Sequence, residues 1–260
     1  MKSPSLPFPL NPDYGHGATR RRVRLWNDNG GVSAILSDIF HEMHCHIAHD
    51  GVNITGVEGT MLRVPTSSCA GAVAPLRELI GTPLRVSPRE IYRGGRILQH
   101  CTHLFDLVVL AIGHASRGEC GERLFDAIVP DTLDAVFEAE INLDGALVHR
   151  WTIEQGVIQA PAILYGKSLF KGFSTWSSKL FDGSEWDAAM ILARTCMIAG
   201  GRAYLTDVWK GEPIARNNTI IGACYSYAPE RLQEGVFLGD NVRDFSLEVV
   251  ESKRPQRLIK

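Results

Sequence analysis

A chain of 260 residues is long enough for one large domain or two small ones with an ample core. Its 27 basic and 29 acidic side chains leave a formal charge of −2, so no strong field of either sign exists and neither nucleic acid nor a membrane surface is an expected partner. No apolar run reaches the roughly 18 residues of a membrane span.

Residues 1–19 hold four prolines and no apolar h-region, which reads as an extended surface segment rather than a secretory leader and places the chain in the cytoplasm. The six cysteines, at 45, 69, 101, 120, 196 and 224, contain no CxxC pair, so reduced thiols are expected rather than a disulfide framework. Arg20-Arg21-Arg22 reads as a solvated strand edge.

Residues 32–49 alternate in their second half, with His41, Met43, Cys45 and Ile47 on one face and Glu42, His44 and His46 on the other. Asp50-Gly51 is a hairpin signal, and Val52–Val64 returns as a strand. Ser67 or Ser68 can cap a helix over CAGAVAPLRELIG, with Pro75 delaying its start or kinking it. A loop follows to residue 96, then an almost wholly apolar helix from Ile97 to Ala115.

Past a Gly-containing connection, Ala135–Leu143, Ala146–Glu154 and Gly156–Leu164 form a second meander around Asp144-Gly145. Residues 166–183 read as a loop or lid, Ser184–Ala199 as a helix, NNTIIGACYSYAPERL as a short strand and turn, and ESKRPQRLIK as a frayed tail. Tyr225 and Tyr227 alternate, so one of them can line a pocket. The fold class is α+β, antiparallel meander sheets with packed helices. The expected division is 1–19, a metal-binding half at 20–116, and a second half at 122–250 that completes one compact unit. The two DG meanders hint at duplication without a residue-level repeat.

Chemistry-bearing residues concentrate where "LQHCTHLFDLVVLAI" opens a helix. This stretch and "FHEMHCHIAHDGVNITGVEGTMLRVPTSSC" resemble the U-type iron–sulfur cluster scaffolds. Cys69 matches that family's middle cysteine, His100-Cys101 its His-Cys pair, and His41 falls close to its first ligand position. A closer resemblance is to the bacterial domain-of-unknown-function family 2889. It is carried by His41-Glu42-Met43, Cys69 and Cys101-Thr102-His103-Leu104, and it implies a fold and a shared site.

These resemblances imply a metal held by His41, Cys69 and Cys101, with His100 as alternative ligand. A tetrahedral zinc site takes three or four N/S ligands from separate elements, and three leave an open position. Zinc is the expected metal, with iron as alternative. On a regular helix, residues 101 and 103 point about 200° apart, so His103 is read as a proton shuttle oriented by Asp106, with Glu42 as a candidate general base. The competing interpretation makes Cys69 and Cys101 small buried hydrophobes and His103 a satisfied core histidine. HCHIAH offers no third ligand on its solvent face, and Cys45, Cys120, Cys196 and Cys224 gain no role. No Walker A loop, GxGxxG, GxSxG or HExxH motif is present.

The expected function is a metal-dependent enzyme acting on a small organic molecule, aromatic or acyl, by hydrolysis, lyase or isomerase chemistry. One alternative is a metal or iron–sulfur carrier, and another is a metal-free binding protein with a structural thiol core. A homo-oligomer is compatible with the sequence.

Overall fold

The computed structural model describes residues 8–28, 30–93, 96 and 99–245. Strict alternation builds its first strand. In β1 (Ala18–Asp28) Thr19, Arg21, Val23 and Leu25 are buried on one face, while Arg20, Arg22 and Arg24 stand on the other. The arginine triplet is therefore not a strand edge. β1 lies in the middle of the sheet, and Arg21 points inward with the apolar residues.

β2 (Gly31–Ser37), β3 (Glu42–His49) and β4 (Ile54–Arg63) follow as antiparallel neighbours. The stretch 32–49 is thus two strands joined by a turn at 38–41. The next segment, Ser67–Leu79, winds as 3-10 turns instead of the expected α-helix. Pro75 inside it lacks the N–H an α-helix would use and its ring crowds the preceding turn. α1 (Pro88–Ile91) is closed by a Ser87/Glu90 capping box.

α2 spans Thr102–Arg117 and is buried along most of its length. It starts five residues later than the periodicity suggests; Cys101 is its extended N-cap (φ −67°, ψ 117°). Gly118 ends it in the left-handed conformation at φ 64°, which glycine adopts without a Cβ penalty.

β5 (Glu122–Pro130) then pairs with β1, and β6 (Val136–Leu143), β7 (Ala146–Glu154) and β8 (Val157–Ala160) continue the sheet. The result is one eight-stranded antiparallel sheet in the order β4-β3-β2-β1-β5-β6-β7-β8. α3 (Phe173–Ser177) and α4 (Gly183–Ala199) close this half. The anticipated lid at 166–183 includes α3 and is packed, with Trp176 Nε1 donating to the Ser168 carbonyl at 3.0 Å.

Each half is four strands followed by a long helix, and both helices share one core with β1. Duplication is therefore legible in topology. The two DG turns do not correspond, because one joins β3 to β4 and the other β6 to β7. The second demands positive φ at both residues, 51° at Asp144 and 86° at Gly145.

Beyond α4 the described chain carries 3-10 turns and isolated bridges, so the short strand expected in NNTIIGACYSYAPERL is absent among the described residues. These turns pack around a small second core of Phe8, Trp209, Ile214, Tyr227 and Phe237. Phe8 thus anchors the N-terminal segment, while the expected frayed tail lies outside the described residues. No helix among the described residues is long and apolar enough to cross a membrane.

Two ion pairs tie α2 to α4 at opposite ends. Arg194 Nε meets Asp106 Oδ2 at 2.6 Å, and Arg117 Nη2 meets Asp187 Oδ2 at 2.6 Å. Asp106 is only 3% exposed and also accepts from Tyr92 Oη at 2.7 Å. Arg194→Leu should destabilise the chain by roughly 3–5 kcal/mol, because it leaves that carboxylate buried without its cation. The double variant Asp106→Leu/Arg194→Leu should recover most of the loss. Urea denaturation of both variants checks this.

Candidate functional site

The site is assembled from the turn at 38–41, the N-terminus of α2, the C-terminal turn of α4 and the coil beyond it. Asp38, fully buried, organises the turn. Its Oδ1 accepts from the backbone N–H of Phe40 and of His41, both at 2.9 Å, as aspartate does in tight turns. From outside, Arg63 donates to the carbonyls of Ile39 at 2.8 Å and His41 at 3.0 Å. From inside, Arg21 donates through Nε and Nη2 to Asp38 Oδ2 at 3.0 and 2.7 Å.

Two imidazoles meet at this frame. His41 Nδ1 lies 3.0 Å from Asp38 Oδ1, and His103 Nδ1 lies 3.1 Å from Arg21 Nη2. Their ring centroids are 4.1 Å apart, tilted by 49°. The partners dictate the tautomers. A carboxylate only accepts, so His41 carries a proton on Nδ1, and in the neutral ring its Nε2 is a lone pair. A guanidinium only donates, so His103 accepts on Nδ1 and its Nε2 is the N–H. Neither Nε2 has a hydrogen-bond partner among the described residues, neither is sealed, and both residues line the same cavity.

Electrostatics bear on Asp38 and His103. Burial alone would raise Asp38, but the neighbouring His41 and Arg21 outweigh it and hold its carboxyl well below the usual range. Burial, then the proximity of His41 and Arg21, pushes His103 well below the ordinary histidine value. Asp38 is ionised and His103 neutral at physiological pH.

The cavity encloses about 390 Å³. Phe8, Phe40, Pro65, Met197, Ile198 and Phe237 give it an apolar wall, and three thiols, Cys69, Cys101 and Cys224, also face it. Burial, then Cys69 and Cys224, pushes the Cys101 thiol up, so it is protonated at neutral pH. Cys69 Sγ is held by two hydroxyls, Thr66 Oγ1 at 3.1 Å and Ser226 Oγ at 3.2 Å.

Several sequence-derived roles change. Because Cys101 precedes the helix, it and His103 are not on opposed helical faces, and both reach the cavity. Asp106 does not orient His103, since its oxygens are taken by Tyr92 and Arg194. His100 does not line the cavity with Cys101: its Nε2 meets Glu78 Oε1 at 2.9 Å and its ring packs on Phe105 at 4.5 Å. Glu42 sits on the outer face of β3, with Arg63 and Arg243 at 4.0 and 3.6 Å. Cys224 joins the cavity, and of the two tyrosines Tyr227 lines it.

The zinc reading needs a converging donor set. His41, Cys69 and Cys101 do line one cavity, but no group of three His, Cys, Asp or Glu among the described residues could hold a metal ion.

Sequence reading missed Arg21 and Asp38. The signal for Arg21 was available, because an arginine in phase with Val23 and Leu25 on an alternating strand must find a buried partner. Asp38 stands three residues before His41, the spacing of a side chain that closes a turn onto its own backbone.

Residues 27–115 match the model of the family described as Protein of unknown function (DUF2889). The match covers β2–β4 and nearly all of α2, including His41, Cys69, Cys101 and His103. No curated protein and no solved structure matches the chain. The likeness to iron–sulfur scaffolds gains no support from these comparisons.

Nitrogen-15 NMR of the imidazoles should find His103 neutral and protonated on Nε2 at neutral pH. The stability consequence has a definite sign. Because the folded pKa lies below the unfolded value near 6.5, His103's contribution is fully present above that value. It falls as pH drops through it, when the unfolded chain takes up a proton that the folded chain refuses. His103→Gln should flatten the acid limb of a stability–pH curve measured by urea titration.

Proposed function

We propose that this chain, whose residues 27–115 match the DUF2889 family model, is an enzyme that moves protons on a small, largely apolar organic molecule. The observation that carries the reading is the pair of imidazoles in opposite tautomers, one a base and one a donor, opening side by side on an apolar cavity. A binding protein has no need of an imidazole lone pair aligned by a buried carboxylate. A cavity of about 390 Å³ lies within the range of small-molecule sites.

The roles follow from the hydrogen bonds. His41 Nε2 removes a proton from substrate carbon or from water, and Asp38 stabilises the imidazolium that forms. His103, kept neutral by Arg21, donates its Nε2–H to an oxygen on which negative charge develops. A neutral imidazole is suited to that role because it stabilises the oxyanion by a hydrogen bond without surrendering a full proton. Proton abstraction next to a carbonyl serves isomerisation and lyase chemistry, and water activation serves hydrolysis. The apolar wall keeps competing water out and strengthens each of these interactions.

The test is a panel of aromatic and acyl compounds with acidic C–H bonds or hydrolysable esters, run with wild type, His41→Ala and His103→Gln. Turnover by the wild type, lowered roughly 10²–10⁴-fold in His41→Ala at unchanged fold, is the expected result. Elemental analysis of the same preparations separates the metal reading. About one zinc or iron per chain, lost in both Cys69→Ser and Cys101→Ser, would overturn the metal-free assignment. Activity untouched by both histidine substitutions would overturn the acid–base one.

A further inference from the structure

Among the arginines and lysines of the described residues, Arg194 is the one that lines the cavity, and the imidazole pair leaves it unused. Arg194, Met197, Ile198 and Gly201 line the cavity together. Their offsets of three, four and seven residues mark one face of α4 continued into the turn beyond Ala199, so the helix itself carries the Arg194 side chain to the cavity. That side chain keeps 24% of its surface open, against 4% for its partner Asp106.

A guanidinium holds five N–H donors in a planar fork. Asp106 takes one edge of that fork: Nε donates to Oδ2 at 2.6 Å, and Nη2 reaches Oδ1 at 3.5 Å. Asp106 is itself shared, because its Oδ1 also accepts from Tyr92 at 2.7 Å. The remaining edge, Nη1 beside Nη2, meets no further oxygen among the described residues. Its one other contact runs from Nη1 to the Met197 thioether at 3.5 Å, and such a sulfur accepts only weakly. Two parallel N–H groups on a charged planar edge are what a carboxylate accepts from in bidentate fashion. The other charged groups nearby do not compete. Arg21 is engaged by Asp38 and His103. Asp207 lines the same wall, but its Oδ1 is sealed and its carboxyl accepts from the backbone N–H groups of Asn241 and Val242. After burial, His41 and Arg21, Arg194 also depresses the His103 imidazole, which places its charge within reach of the proton-transfer pair.

Resting on the enzyme reading above for what the cavity does, we infer that the substrate is an organic acid, an apolar body whose carboxylate accepts from Nη1 and Nη2 of Arg194 while the imidazoles act elsewhere on the molecule. Arg194 is then a specificity-determining residue, with one edge holding α4 to α2 and the other holding the ligand. A substrate with a protonated amine in that position would meet Arg194 as a like charge and be rejected.

Binding can be read without knowing the reaction. Benzoate, benzamide and benzylamine share one ring and differ in the group offered to Arg194. Titration calorimetry with the full chain at neutral pH should give the order benzoate, then benzamide, then benzylamine. Benzoate should bind about tenfold or more tighter than benzamide, the scale of hydrogen bonds to a charged group. Asp106→Leu/Arg194→Leu removes the cation without orphaning the carboxylate, and should abolish the preference for benzoate over benzamide. Arg194→Lys keeps a cation against Asp106 but loses the planar edge, and should weaken the preference severalfold; it decides alone if the double variant proves unstable. Thermal unfolding of each variant checks that the fold is retained. His41→Ala should keep the benzoate preference while losing turnover, so failure of the acid–base reading is separated from failure of this one. Equal wild-type affinity for benzoate and benzamide, no benzoate binding at all, or a preference that survives unchanged in the folded Arg194 variants would each overturn the inference.

Discussion

The Arg21–Asp38 ion pair is the constraint on which the site depends. Both groups are almost wholly removed from solvent, with side-chain exposures of 2% and 0%. Burying two charges is unfavourable unless each is fully engaged. Here every polar atom of Asp38 has work: one oxygen closes the turn and aligns His41, and the other binds the guanidinium. Arg21 spends a further N–H on His103. One pair of opposite charges therefore fixes the position of two rings and the tautomer of each.

The fold makes that pair possible. β1 is central and bridges the two four-stranded halves, so a side chain on its inner face lies under the helix layer. α2 packs over the first half and brings its N-terminus to the β2–β3 turn. α4 runs over the second half and contributes its C-terminal turn. The site is thus shared by both halves, and the coil after α4 seals it with Tyr227 and Phe237. At the other end of the helix pair, Arg117–Asp187 mirrors Arg194–Asp106, which keeps the helices in register without touching the imidazoles.

The thiols illustrate how much residue type alone leaves open. A cysteine at a helix N-cap and another in a preceding turn are the ingredients of a metal centre. In this fold the Cys101 thiol is buried, two hydroxyls engage Cys69, and no group of three donors converges among the described residues. Whether a Cys is a ligand depends on its field, and the field comes from neighbours far away in sequence, such as Ser226 for Cys69.

Alternation and punctuation, both local, were legible: the inward set of β3, the hairpin at Asp50-Gly51, the meander around Asp144-Gly145, the helix ending at Ala199 and the α+β class. The residues of the site's chemical centre were also legible, since His41, Cys69, Cys101 and His103 all reach one cavity. What only the tertiary structure decided was pairing. That β1 sits between β2 and β5, that Arg21 finds Asp38, that Asp106 belongs to Arg194 rather than His103, and that Asp207 reaches the same wall are all contacts between elements. A periodicity reports which face of an element is buried. It holds no information about what that face is buried against, and the partner is what turns a histidine into a base or a donor.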